Sequence, residues 1–359
     1  MPSSFPFKKV LIINIFGLGD VLFTTPLISN LKSAQPGIFI GYLCNKRTAP
    51  LLSSNPKVDK IFIYEKDDYR EIFKQSKTGF LKRALGDFSQ IKAEHFDAAI
   101  DISLNKYASF FLWLAGIKKR VGFNYKNRSP FLTEKIKLEG YDKKPVADYY
   151  LDLLSYLSVP IKSRRLETFT TKEDDLWARE ALKNKRLSDQ GSFVALVPGG
   201  GASWGKDAPY KRWPAEKYAK LADKIVEKFK AKIILLGDSK EEELCRRVAA
   251  LMGGGSAISF NNATIGQFTA LLKNCRLAVV NDGGPLHIAA AAGVKTVSIF
   301  GPVDENIYGP YPQENHEVVT KDIPCRPCYR RFRRAECEHI SCLNTITIEE
   351  VLERLGRLL

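Results

Sequence analysis

The chain has 359 residues, 45% hydrophobic and 26% charged, with 55 Lys and Arg against 40 Asp and Glu and a formal net charge of +15. That length exceeds one compact core and fits two domains, and no apolar run approaches the ~20 residues of a membrane-spanning helix. Seven cysteines, an odd number, argue against a complete disulfide framework.

At the N-terminal end, Lys8-Lys9 before Val10 to Phe16 imitates a signal peptide. The apolar run is short, however, and ends in Gly17-Leu18-Gly19-Asp20 without a small-residue cleavage site. A cytoplasmic location is expected, with peripheral attachment to the inner face of the cytoplasmic membrane as an option that the basic charge allows. Val10 to Phe16, Ile38 to Leu43, Lys60 to Tyr64 and Ala98 to Ile102 read as strands, nearly continuous in apolar residues as strands covered on both faces must be. Val21 to Lys32 and Tyr107 to Gly116 carry helical spacing between them. The second half repeats the plan, with strands at Phe193 to Val197, Lys232 to Leu236, Leu277 to Val280 and Thr296 to Phe300. Helices are expected at Pro214 to Phe229, Glu241 to Leu251, Thr264 to Lys273 and Pro285 to Ala292.

This βαβα order predicts an α/β chain of two Rossmann-like, doubly wound parallel sheets facing across a cleft. The expected domains are 1–175 and 176–345, with the boundary in the charged stretch Thr170 to Gln190. Residues 346–359 form a last helix able to return to the first domain.

Loops at predicted strand ends gather the residues suited to chemistry. Asn281-Asp282-Gly283-Gly284-Pro285-Leu286-His287 ends a strand and opens a helix, so backbone N–H groups and the positive dipole end would face an anion. His287 would add a donor or a positive charge, or simply pack. Pro198-Gly199-Gly200-Gly201-Ala202-Ser203 offers bare backbone and a hydroxyl, and Lys211-Arg212-Trp213-Pro214 sets positive charge before a helix; both suit a diphosphate. Glu241, in the loop after the strand ending at Leu236, is placed for a ribose. In the first half, the glycines of Phe16-Gly17-Leu18-Gly19-Asp20 hold Asp20 near a helix start, either as an N-cap or as a general base. The third glycine of a dinucleotide fingerprint is missing there.

Two basic stripes remain. Lys118 to Lys144 holds nine Lys or Arg against three acids, and Lys321 to Arg334 six against one. Without a nucleic-acid motif, an anionic substrate or membrane surface is the expected partner, met by Lys118, Lys119, Arg120 and Arg128. Cys325, Cys328, Cys337 and Cys342 could hold zinc, remain reduced or form local disulfides.

Three segments of the chain, Gly19-Asp20-Val21-Leu22-Phe23-Thr24-Thr25-Pro26, Lys211-Arg212-Trp213-Pro214 and Asn281 to His287, resemble glycosyltransferase family 9, the ADP-heptose:lipopolysaccharide heptosyltransferases. The resemblance implies a GT-B fold and an inverting transfer of heptose, or a related sugar, from ADP-heptose to a hydroxyl of the lipopolysaccharide inner core or a similar glycolipid. It implies Asp20 as catalytic base, Lys211 on the diphosphate, Glu241 on the ribose, and Asp282, Gly283, Gly284 and His287 as the donor-binding turn. No cofactor or metal is implied. Where some members have Thr after Asp282, this chain has Gly283, and Trp204 to Tyr210 separates the glycine loop from Lys211. A sugar-nucleotide epimerase or hydrolase, or a non-catalytic nucleotide- or glycolipid-binding module, are the alternative readings.

Overall fold

The computed structural model describes residues 6–185, 192–200, 202–254 and 257–359. Gly201 and the end of the expected boundary stretch, 186–191, lie outside the described residues. The chain divides into two units, 1–141 with 146–164 and 142–145 with 165–359.

The first unit is built on β1 (Lys9–Ile13), β2 (Phe39–Cys44), β3 (Lys60–Ile63), β4 (Ala98–Asp101), β5 (Lys119–Tyr125) and β6 (Glu134–Leu138). They lie in the order β3-β2-β1-β4-β5-β6, every pair parallel. Apolar side chains on both faces of β1 and β4 require cover on both sides, which the crossover helices supply. The expected single helix from Val21 is two: Leu18–Phe23 and Thr25–Ala34. Pro26 sits in the first turn of the second, where its missing N–H costs nothing.

The second unit repeats the order. β7 (Phe193–Val197), β8 (Lys232–Leu236), β9 (Ala257–Phe260), β10 (Leu277–Asn281), β11 (Lys295–Ile299) and β12 (His316–Val319) run β12-β11-β10-β7-β8-β9, all parallel. In each sheet the winding direction reverses between the first and fourth strands of the unit, β1 and β4, or β7 and β10. The crevice beyond the carboxyl ends of two such strands is where doubly wound sheets bind ligands. Asp20 follows β1, Gly199 and Gly200 follow β7, and Asp282 follows β10.

The helix Ala215–Phe229 buries Tyr218, Leu221 and Ile225 against the second sheet. The last helix, Ile348–Leu358, adds Val351 and Leu355 to that same core. It therefore packs within the second unit instead of returning to the first, because its apolar stripe fits β11, β12 and the helix Ala215–Phe229. No helix among the described residues is long and apolar enough to cross a membrane.

Asn30, buried in the helix Thr25–Ala34, holds the chain segment that leaves the first unit. Its Nδ2 donates to the carbonyls of Pro26 and Ser163 at 2.8 and 2.7 Å, and its Oδ1 accepts from the N–H groups of Lys162 and Ser163 at 2.6 and 3.0 Å. Asn30→Ala should cost about 1–3 kcal/mol of unfolding free energy through the orphaned backbone groups, as read by urea denaturation.

Candidate active site

β10 ends in Asn281, a buried residue that joins three loops. Its Nδ2 donates to the carbonyls of Pro198 and Gly199, both at 2.9 Å, and its Oδ1 accepts from the Trp213 N–H at 3.1 Å. One amide thereby sets the glycine loop, the Lys211-Arg212-Trp213 segment and the Asp282 turn in register. Asp282 follows, and its Oδ2 lies 2.6 Å from Lys211 Nζ, with both side chains buried. The Trp204 ring stacks on the same ammonium at 4.5 Å. The segment 204–210 is thus no idle spacer: it supplies an aromatic wall to Lys211.

Gly283 adopts φ 155° and ψ −171° as the N-cap of the helix Gly284–Ala291, a region that only glycine enters without strain. A Thr there would be strained, so the glycine is what lets the turn take this shape. Pro285 lies in the first turn, and His287 is buried on the same helix. Burial, the nearby Lys211 charge and His316 together depress the His287 pKa to about 3. The positive charge anticipated for His287 is therefore absent near neutrality, and the ring is available only in its neutral form.

Glu241 is held against the glycine loop. Its Oε1 accepts from the Gly200 N–H at 2.6 Å and from Arg212 Nη2 at 3.2 Å, and its Oε2 accepts from the Asp238 N–H at 3.2 Å. A Cβ on Gly199 would come within 2.1 Å of this carboxylate. Gly199 is needed for that approach, and Gly200, at φ 104°, for the turn. Glu241 acts first as a clamp on the loop; an acceptor position for a ribose hydroxyl remains within the capacity of a carboxylate. Ser203 is exposed on the segment Ala202–Lys211.

In the first unit Asp20 is the third residue of the helix Leu18–Phe23, whose N-cap is Gly17, so Asp20 is not the cap. It still serves the helix start: its Oδ2 accepts from the Gly17 N–H at 3.3 Å, and Asn14 Nδ2 donates to its backbone carbonyl at 3.0 Å. Tyr150 donates to Oδ1 at 3.4 Å. Burial, reinforced by Tyr141 and Asp20, lifts the Tyr150 phenol well above its ordinary range, so it stays protonated. Nothing local marked Tyr150, Asn281 or Arg212 as partners of these carboxylates and loops; Asn281 and Arg212 did lie inside the quoted motifs.

The basic residues separate. Lys119 opens β5 at the amino edge of the first sheet, the edge opposite Asp20, and pairs with Glu134 at 2.9 Å. Arg120 spends its guanidinium on the carbonyls of Ile117, Lys118 and Phe131. Lys118 and Arg128 are exposed. Lys118, Lys119 and Arg120 therefore do not form one anion site with Asp20, while Arg128 lies past the carboxyl end of β5. In the second stripe, Arg326 is tied to Gly301, Val303 and Glu305, and Arg334 stacks on Tyr210. All seven cysteines are free thiols, and the described residues contain no group able to hold a metal. Burial, with the neighbouring cysteines adding to it, raises the thiol pKa of Cys328 and of Cys342, yet Cys325, Cys328, Cys337 and Cys342 do not form a metal-holding group.

Lys211→Met should leave Asp282 buried without its cation and destabilise the chain by about 3–5 kcal/mol, whereas Lys211→Met with Asp282→Asn should recover much of that loss; a double-mutant cycle in urea decides. A second expectation concerns acid. His287, at about 3, and His316, held at about 4 by burial, both lie below the ordinary 6.5. Between those values the unfolded chain binds more protons, so their contribution is full above pH 6.5 and is lost as pH falls toward 3. His287→Gln should flatten the fall in stability between pH 6.5 and 4. The opposite trend from Asp101, raised to about 6 by burial, is common to both proteins and cancels.

Comparison with known proteins places this geometry. Residues 87–339 match the family model described as glycosyltransferase family 9 (heptosyltransferase). Lipooligosaccharide heptosyltransferase 2 of Campylobacter jejuni is 32% identical over 46% of this chain, an alignment that spans about half, 51%, of that relative. Lipopolysaccharide heptosyltransferase 2 of Escherichia coli K12 is 24% identical over 98% of each chain. The solved E. coli ADP-heptose lipopolysaccharide heptosyltransferase II superposes with a TM-score of 0.74 at 21% identity over 98% of each chain, which gives the GT-B architecture. With a family match that covers most of its length, the chain belongs to glycosyltransferase family 9, the heptosyltransferase family.

Proposed function

We propose that the chain is an inverting glycosyltransferase that moves heptose from ADP-heptose to a hydroxyl of the lipopolysaccharide inner core or a similar anionic glycolipid. The observation that carries the reading is the Lys211–Asp282 pair beside the Gly283–Pro285 helix start, at the switch point of a family 9 donor unit. That the similar E. coli structure is an ADP-heptose lipopolysaccharide heptosyltransferase supports the choice of donor.

In this mechanism the diphosphate lies over the first turn of the helix Gly284–Ala291, where backbone N–H groups and the dipole favour an anion. Lys211 neutralises charge as the nucleoside diphosphate leaves, and Asp282 keeps the ammonium aimed. Neutral His287 donates or accepts one hydrogen bond without adding charge. Asp20 takes the proton of the acceptor hydroxyl as its oxygen attacks the anomeric carbon from the face opposite the departing diphosphate. Tyr150 and the Gly17 N–H each occupy one carboxylate oxygen and fix the orientation of the base. One carbon–oxygen bond forms as the other breaks, the configuration inverts, and no covalent intermediate arises. The residues named require neither a divalent ion nor a cofactor. The chain would work from the cytoplasmic side, attached peripherally to the inner face of the membrane.

Asp20→Asn should retain ADP-heptose binding, as measured by calorimetry, and lose roughly 10²- to 10⁴-fold in turnover with a lipopolysaccharide-core acceptor. Turnover within threefold of the parent protein would remove Asp20 from the role of base.

A further inference from the structure

The first unit contains a volume that its own side chains leave open. The helices Lys66–Gln75 and Lys77–Ala93 cover one face of β1, β2 and β3, yet neither buries a single residue. Their aromatic rings pack on each other, Phe73 against Phe80 at 5.2 Å and Tyr69 against Phe80 at 5.8 Å, both edge to face, and reach the sheet only at its margins, through Tyr69 on Tyr64 at 5.0 Å and through Ile91. Beneath them lies a cavity of about 1540 Å³ with a floor of Leu11, Ile13, Leu43 and Phe62. Ordinary small-molecule sites occupy roughly 300–1,000 Å³, and a core normally closes such apolar space.

The cavity also has a direction and a charge. One end reaches Ile15, Ser103 and Asn105, in the loops after β1 and β4, and Asp20 follows the first of these loops. The helices line it with Lys66, Arg70, Lys74, Lys82 and Arg83 against one carboxylate, Asp87. Asp87 is already engaged by Arg83 at 2.7 Å and by the Tyr69 hydroxyl at 2.6 Å. An apolar interior with a cationic border fits a molecule that has a hydrocarbon chain and an anionic head.

We infer that this cavity takes the hydrocarbon chain of an anionic lipid, its head group held by the lysines of the helix pair. It is a site separate from the donor turn. It gives the proposed glycolipid acceptor a place for its chain on the same unit as Asp20.

The test uses the full chain and no donor, so its failure is distinguishable from failure of the transferase reading. Octyl, decyl and dodecyl phosphate, each below its micelle concentration, are titrated by calorimetry. Affinity should rise about fourfold per methylene. Decyl maltoside, which lacks the charge, should bind at least tenfold more weakly than decyl phosphate, and inorganic phosphate should not compete. Ala84→Trp, at the cavity wall, should abolish the chain-length dependence. Gly86→Leu, whose added Cβ meets nothing within 4 Å, should weaken it and serves if the tryptophan variant does not fold. Affinity independent of chain length, equal binding of decyl maltoside, displacement by inorganic phosphate, or unchanged binding in the folded cavity variants would each overturn the inference.

Discussion

The second unit depends on a buried ion pair in a place where a lone charge would not survive. Lys211 and Asp282 have both left water, and the desolvation cost is offset only because the ammonium and carboxylate meet at 2.6 Å and an aromatic ring covers the cation. Each charge justifies the other. Arg212 and Glu241 repeat the arrangement one residue along the chain, so the site balances two cations with two carboxylates before any ligand arrives. Under the proposed mechanism an incoming diphosphate need not find a naked positive pocket. It would draw Lys211 partly away from Asp282, and the helix start supplies fixed dipoles that require no counter-charge.

That balance explains the state of His287. In a site already holding Lys211, a second cation would have to be desolvated beside the first, and the ring stays neutral. The geometry thereby separates two tasks that the sequence alone leaves merged: charge comes from Lys211 and the helix end, whereas His287 offers hydrogen bonding and packing.

Much of the architecture is legible in the residues because fully covered parallel strands need unbroken apolar runs, and β1, β4, β7 and β10 have them. β6 does not. Glu134-Lys-Ile-Lys-Leu138 alternates as a half-exposed edge strand does, and its lysines read as part of a basic stripe. The helices Lys66–Gln75 and Lys77–Ala93 escaped although Tyr69, Ile72 and Phe73, and Phe80, Ala84, Phe88 and Ile91, recur at helical spacing: charged residues crowd between them, and neither helix sinks a residue fully into the core. Within the site, Asp282, Gly283 and Lys211 stood out because strand ends, glycines and helix starts are local features. The bonds of Asn281 to Pro198 and Trp213, or of Tyr150 to Asp20, join residues far apart in sequence, and no local pattern encodes them. The basic cluster at Lys118 to Arg120 illustrates the converse. Proximity in sequence suggested one anion site, but a strand start points its residues apart and sets them on the edge away from Asp20.

The last helix bears on the chemistry through one indole. Trp213 Nε1 donates to the carbonyl of Ile346, and Lys217 Nζ to those of Asn344 and Ile346, immediately ahead of the helix Ile348–Leu358. Trp213 lies two peptide bonds from Lys211. The tail therefore works as a brace whose footing is main-chain carbonyls, and the Asn344 amide, which donates to the His339 carbonyl at 3.1 Å, helps hold the path of that backbone. Fraying there would travel along a few covalent links to the Lys211 ammonium, so under the proposed mechanism the far end of the polypeptide becomes part of how well the leaving group is held.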